Sequence, residues 1–299
     1  MSAKVQVKLL ATLTGHRQAV YSMVNGKKGL LSAGGDGFVV SWDYPKTEDG
    51  IVIAHCPEPI YALGLLETDE ILMGSSSGAL YWVKNGEVAR KIVAHSKGIY
   101  AIEIMPNGYF LTLGGDGNAM VWNAALELLR TIEISKKALR CVVKIDKGFA
   151  VGASDNQIYI VDAELKVTKV FEGHTNSVFA LAYNSESNTL YSGGRDAQIR
   201  SWDLNILKQK APIAAHLLHI HSLKLSPDKS ILASSSMDKT IKLWDSKSME
   251  LLKVLDKPKF EAHKSSVNTL LWVNDKALIS GSDDRTVVVW ERVDLILNV

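Results

Sequence analysis

The chain has 299 residues, 46% hydrophobic and 22% charged, an ordinary globular composition that excludes a disordered or low-complexity protein. Thirty-four Lys and Arg against 32 Asp and Glu leave a formal charge of +2, and so balanced a field does not point to nucleic acid or an anionic membrane. The two cysteines, Cys56 and Cys141, are too few for a disulfide framework and sit in no metal-binding spacing. The opening MSAKVQVKLLATL lacks the apolar core of a secretory signal, and no window approaches about 18 uninterrupted apolar residues. The expectation is a cytoplasmic, intracellular chain with reduced thiols and no membrane contact.

Taken in order, the chain repeats itself. After an alternating segment, VQVKLLATL, the first unit opens on Gly15-His16 and closes on Trp42-Asp43. Aligned on the opening residue, the units begin at His16, His55, His95, Ser135, His174, His216 and His263. Aligned on the closing residue, they end at Trp42, Trp82, Trp122, Val161, Trp202, Trp244 and Trp290. Six positions before each closing residue stands an acidic or small polar one: Asp36, Ser76, Asp116, Asp155, Asp196, Asp238 and Asp284. The units therefore span about 14–43, 53–83, 93–123, 133–162, 172–203, 214–245 and 261–291, a period of about 40 residues.

The fifth unit is among the best preserved. Val178, Ala180 and Ala182, then Leu190 and Ser192, then Ile199, Ser201 and Asp203 follow period two, the side-chain period of a strand. Ser187-Asn188 and Gly193-Gly194 supply turn chemistry between them. Each unit thus reads as a three-stranded antiparallel meander, with a fourth strand from the segment that follows, here Leu207 to Ala214. Two units are eroded. The second carries Leu72 and Ser76, and the fourth carries Ser135, Val151 and Val161, in place of repeated polar or aromatic groups.

Units of this period, with Gly-His near the start and Trp-Asp near the end, resemble the WD-repeat family of beta-propellers over residues 5 to 291. The resemblance implies an all-β fold: one domain, residues 1–299, forming a seven-bladed propeller of four-stranded antiparallel blades. The N-terminal strand is expected to pair onto the last blade and close the ring, an edge for which residues 291–299, ERVDLILNV, compete. It also implies that each complete unit links its His, Ser or Thr, Asp and Trp in one buried hydrogen-bonded chain. The sets are His16, Ser32, Asp36 and Trp42; His95, Thr112, Asp116 and Trp122; His174, Ser192, Asp196 and Trp202; His216, Ser234, Asp238 and Trp244; and His263, Ser280, Asp284 and Trp290. A catalytic Ser-His-Asp set is needed once, whereas this one recurs at fixed phase, so the residues read as braces and not as reagents. Units two and four, lacking the set, are expected to rely on apolar packing.

By the same resemblance, partners bind the face around the central channel. The residue after the first apolar residue of each inner strand is Tyr21, Tyr61, Tyr100, Arg140, Phe179, His221 and Asn268; the residues before the aspartates add Arg195, Met237 and Asp283. Aromatic and Arg side chains on a concave rim suit a protein or peptide ligand, although Tyr and Phe also pack well inside strands. Gly35 and Gly115 are expected to leave space beside Tyr21 and Tyr100, and Arg140 with Arg195 to attract an acidic group. His216, His219 and His221 lack a further ligand for a metal. No phosphate loop or nucleophile elbow occurs. The chain therefore reads as a monomeric, non-enzymatic scaffold without cofactor or metal, its partner unnamed. The alternatives are a small-molecule enzyme with its site at the channel mouth and an RNA-associated subunit, the latter disfavoured by the balanced charge.

Overall fold

In the computed structural model, residues 5–27, 29–44, 46 and 48–293 are described; apart from a 3-10 turn at Pro106–Gly108 and one helical turn at Lys257–Phe260, their regular elements are strands. The strands form seven antiparallel sheets, six of them ordered inner to outer as in the sequence, so each of those units folds back on itself through short turns before the next begins. Blade 1 comprises Val20–Gly26, Gly29–Gly34, Phe38–Trp42 and Gly50–His55. The seventh sheet takes its inner three strands from Val267–Trp272, Ala277–Ser282 and Thr286–Val293, and its outer strand from Gln6–Thr14. That pairing runs from Gln6 opposite Val293 to Thr14 opposite Thr286, joining the two ends of the chain. Glu291, Arg292 and Val293 lie in this ladder; the rest of ERVDLILNV lies outside the described residues.

Second and third strands are buried on both sides because each sheet is sandwiched between its neighbours. Ile71–Ser75 and Phe110–Gly114 show no exposed position at all. The core is accordingly a series of apolar seams, each shared by two blades. Blades are also tied through the turn after each aspartate. Gly37, Gly78 and Gly117 hold φ of 73°, 93° and 87°, and a Cβ there would fall 2.1, 2.2 and 1.9 Å from the carbonyl oxygens of Cys56, His95 and Ser135. Only glycine fits such a left-handed, crowded position without strain. Blades 4 to 7 hold the same turn with Asn156, Ala197, Lys239 and Arg285, at φ of 61° to 73°.

Two expectations about the strands need correction. The outer strand of blade 5 is not continuous over Leu207 to Ala214: Lys208–Gln209 and Ile213–Ala214 pair separately with Gln198–Asp203. Pro212, which has no N–H to give the ladder, stands in the gap. In blade 2 the register is one residue later than the His55 to Trp82 alignment. Ile60 pairs with Ser75 as Val20 does with Gly34, so Cys56, Met73, Ser77 and Val83 occupy the places of His16, Ser32, Asp36 and Trp42. The slip turns Trp82 out to a half-buried position, where its indole N–H donates to Glu70 Oε2 at 3.1 Å.

Candidate functional site

The site begins with a backbone irregularity. Every inner strand carries a register shift one residue in, between Val20 and Ser22, Ile60 and Ala62, Ile99 and Ala101, and at the corresponding place in the other four blades. A bulge frees one residue from the ladder and redirects its side chain. Here the freed residues are Tyr21, Tyr61, Tyr100, Arg140, Phe179, His221 and Asn268, and all seven line one cavity of about 500 Å³ along the channel.

Around the mouth these side chains touch in succession. Tyr21 and Tyr61 meet edge to face at 5.5 Å between centroids, and Tyr61 stacks on Tyr100 at 5.6 Å. The Arg140 guanidinium lies 4.2 Å over the Tyr100 ring and 5.7 Å from Phe179, with Nε donating to Ser154 Oγ at 2.7 Å. Phe179 stacks with His221 at 6.0 Å. Asn268 donates to the Val20 carbonyl at 3.1 Å and to Asp283 at 2.7 Å. Ring–ring and cation–π contacts of this kind fix orientation, and these side chains remain half-buried.

Of the residues preceding the aspartates, Arg195, Met237 and Asp283 are exposed on this face. The Met237 N–H bonds to the His219 carbonyl at 2.9 Å, which sets Met237 beside the loop that carries Leu217, 88% exposed, and Leu218. Leu217 and Leu218 were not singled out from sequence, and His219 was weighed only as a metal ligand; the signal was two leucines directly after a repeat His. Gly35 and Gly115 do not open space for a ligand. The room above them is taken by Gln18 with Tyr21 and by Lys97 with Tyr100.

Few groups at the channel could carry chemistry. Burial pushes the Cys141 thiol up to about 12, away from the thiolate form. Burial also raises Glu103, against the pull of Lys224 and Lys144, and lowers His221, with His219 adding to the effect and Asp283 opposing it. Among the described residues no group of three His, Cys, Asp or Glu could hold a metal, so His216, His219 and His221 do not combine into a ligand set. His216 is turned inward to Asp238, while His219 and His221 face Phe179.

The recurring polar sets lie inside the blades. In blade 1, His16 Nδ1 meets Asp36 Oδ2 at 2.9 Å, His16 Nε2 meets Ser32 Oγ at 2.7 Å, and Trp42 Nε1 meets the same Oγ at 2.7 Å. Trp can only donate, so the Ser Oγ accepts from the indole N–H and its hydroxyl hydrogen is free to be given to His Nε2. His95, Thr112, Asp116 and Trp122 make the same links at 2.9–3.0 Å. So do His174, Ser192, Asp196 and Trp202 at 2.7–2.9 Å. His216, Ser234, Asp238 and Trp244 span 2.7–2.9 Å, and His263, Ser280, Asp284 and Trp290 span 2.8–3.0 Å.

Blades 2 and 4 are not left to apolar packing, because each has a substitute polar brace. In blade 2, Glu58 accepts from Ser75 Oγ and Tyr81 Oη at 2.7 Å each, from Ser77 Oγ, and from Lys91 Nζ at 3.1 Å. Burial would raise this carboxyl, but the bonds from Ser77, Tyr81, Ser75 and Lys91 hold it at about 2. In blade 4, Asp155 accepts from Ser135 Oγ at 2.5 Å and Tyr159 Oη at 2.6 Å. Tyr81 and Tyr159 both stand two residues before the closing position; the five complete blades have Val40, Met120, Arg200, Lys242 and Val288 there. A Tyr there was the overlooked signal.

Seven four-stranded blades, five of them braced by the same buried tetrad, define a WD-type propeller. The chain belongs to the family described as WD domain, G-beta repeat, whose profile matches residues 7–43, 86–123, 165–203, 208–245 and 255–291. Residues 44–85 and 124–164, which hold most of blades 2 and 4, fall between the matches. Among similar proteins, Transducin beta-like protein 3 of Rattus norvegicus is 25% identical over 94% of the chain and 40% of its own length. WD repeat-containing protein 37 of Homo sapiens is 24% identical over 78% of the chain and 48% of its own, and the Ribosome biogenesis protein WDR12 homolog of Drosophila mojavensis 25% over 74% and 59%. The chain thus spans between 40% and 59% of the length of these relatives. The crystal structure of the WD40 beta propeller domain of Doa1 superposes with a TM-score of 0.85 at 20% identity, over 95% of this chain and 97% of that one, a likeness of fold. No helix among the described residues is long and apolar enough to cross a membrane.

Proposed function

We propose that the chain is a protein-binding subunit that takes a short peptide segment of its partner across the bulged aromatic rim of the channel. The observation that carries this reading is the unbroken run Tyr21, Tyr61, Tyr100, Arg140, Phe179 and His221, each presented by a bulge and each held by its neighbour. Rigid aromatic and Arg side chains on a concave rim contribute large contact area at low entropy cost. An aromatic or aliphatic anchor suits the Tyr21, Tyr61 and Tyr100 side. An acidic group suits Arg140 and Arg195, and a second apolar residue suits Leu217 and Met237 beyond His219. The sparse titratable lining supports a binding role over a catalytic one.

A second reading has one observation behind it. Tyr61, Tyr100 and the intercalated Arg140 form a stack that would also accept nucleobases, and one relative is described as a ribosome biogenesis protein. Random peptides displayed on phage and selected on the immobilised chain, with 12-nucleotide single-stranded RNAs offered in parallel, separate the two. Selected peptides are expected to combine an apolar anchor with an acidic residue. They should bind the Tyr61→Ala, Tyr100→Ala, Arg195→Ala triple variant at least tenfold more weakly. Peptides that bind the triple variant as tightly as the parent would refute the rim, and RNA bound in preference to any peptide would transfer it to the second reading.

A further inference from the structure

On the side opposite the aromatic rim, each seam between blades ends near the turn after a third strand. In five seams that turn delivers an apolar plug. Tyr44 fills the seam between blades 7 and 1, Leu126 that between 2 and 3, Leu165 that between 3 and 4, Leu204 that between 4 and 5, and Met249 that between 5 and 6. The seam between blades 6 and 7 is packed by Trp272, whose indole N–H donates to the Lys224 carbonyl at 3.2 Å, and is clasped by Arg292 and Asp228 at 3.0 Å.

The seam between blades 1 and 2 is different. Its turn is shortened to Asn85-Gly86, at φ of 53° and 83°, and brings no apolar side chain. A cavity of about 400 Å³ remains, walled by Leu31, Ile53, Leu65 and Ile71. A second difference marks the same seam. At two of the plugged seams, those between blades 2 and 3 and between 3 and 4, Arg90 and Arg130 of the preceding outer strand reach the plug turn's carbonyls, Ala125 O at 3.3 Å and Glu164 O at 3.5 Å. By register their counterpart in blade 1 is Ile51, 66% exposed and followed by Val52 at 51%. Among the described residues the charges lining the mouth are paired, Lys27 with Asp69 at 3.5 Å and Lys84 with Glu70 at 3.0 Å. The complement to such a mouth is an uncharged, apolar group.

We propose that this seam is a docking site for a protein partner that presents one leucine- or methionine-sized side chain on a turn, taking the place of the missing plug and covering Ile51 and Val52. It lies at the far end of the inner strands from the aromatic rim and is independent of the function assigned there. The probe is a synthetic peptide of residues 162–167, this chain's own Leu165 plug turn, closed into a ring by flanking cysteines, with a Leu-to-Ala version as control. Titrated into the full chain labelled at methyl groups, it should give saturable shifts at Leu31, Ile53, Leu65 and Ile71 and none at the channel mouth. The Ala peptide should bind at least tenfold more weakly. Gly86→Leu places a plug in the chain itself and should abolish binding, and Leu65→Phe, which fills the cavity from the inner strand and leaves the turn alone, should do the same if Gly86→Leu fails to fold. No saturable shift at these methyls, equal binding of the two peptides, or binding unaffected by a folded filling variant would overturn the proposal.

Discussion

Replacing Glu58 by Ala tests whether blade 2 is braced by a charge. The carboxylate is the shared acceptor for Ser75, Ser77, Tyr81 and Lys91, and both Ser75 and Tyr81 are buried. Without it Ser75 keeps Ser77 and the Ala79 N–H, whereas the Tyr81 hydroxyl loses its carboxylate acceptor. One orphaned buried hydroxyl and the lost charge-assisted bonds amount to about 2–4 kcal/mol. A second route gives a compatible figure. A carboxyl titrating at about 2 against an ordinary 4.5 has its ionised form favoured by about 3.4 kcal/mol before screening. With the side chain 20% exposed, solvent reduces that to roughly 2 kcal/mol. Because the folded value is depressed, this stabilisation is present above pH 4.5 and is lost as pH falls from there towards 2. Urea unfolding followed by circular dichroism should show Glu58→Ala well below wild type at pH 7. Glu58→Gln should fall between them and approach wild type as the pH is lowered to 3. A Glu58→Ala midpoint within about 0.5 kcal/mol of wild type would mean that apolar packing alone holds blade 2 and that the substitute brace is idle.

Other outcomes follow from the same geometry. Ser234→Ala strands both His216 Nε2 and the Trp244 indole N–H and should cost about 2–4 kcal/mol, while Val151→Ser, adding a hydroxyl at the equivalent place in blade 4, should destabilise as well; both are read by thermal melts. Burial lowers His95 and His216 below 6.5, so the unfolded chain binds more protons and stability falls as pH drops through that value. Asp238 and Asp284 are held far below 3.8 against the effect of burial by their His and Thr partners, giving a second loss below about pH 4; urea midpoints from pH 8 to 3 should show both stages, and a flat profile between 8 and 5 would count against neutral imidazoles. Gly37→Ala should cost at least about 2 kcal/mol because its Cβ would strike the Cys56 carbonyl, whereas Lys239→Gly should stabilise by about 0.5–1, a contrast that paired melts will reveal.

What the sequence disclosed and what it hid divide along physical lines. The tetrads stood out because a buried chain of four polar side chains tolerates few substitutes, so the same residue types return at the same phase. The bulged residues could be located because they directly follow the first buried apolar residue of each inner strand. Blade 2 misled because a strand buried on both faces, such as Ile71–Ser75, has no inside–outside alternation to fix its phase, and Trp82 then drew the alignment one residue early. Gly78 and the Asn85-Gly86 turn carried the true register. The Glu58 brace was hidden for another reason: its acid comes from the loop before the inner strand and its hydroxyls from three other positions, so it has no counterpart in the neighbouring units to be aligned with. The open seam was invisible because a missing side chain leaves no letter behind.

The stitch between Gln6–Thr14 and Thr286–Val293 also imposes an order of events in time. Thr14 leaves the ribosome about 270 residues ahead of its partner Thr286, a delay of roughly 15 to 55 s at ordinary rates of synthesis. During that interval the earliest strand made has nowhere to go, and its Val7, Ala11 and Leu13, all destined for burial, remain open to any passing sheet edge. Inner blades can assemble as they emerge, but the circle cannot lock until Gln6–Thr14 meets Thr286–Val293. The segment Gln6–Thr14 should therefore depend on chaperones until Thr286–Val293 has been made.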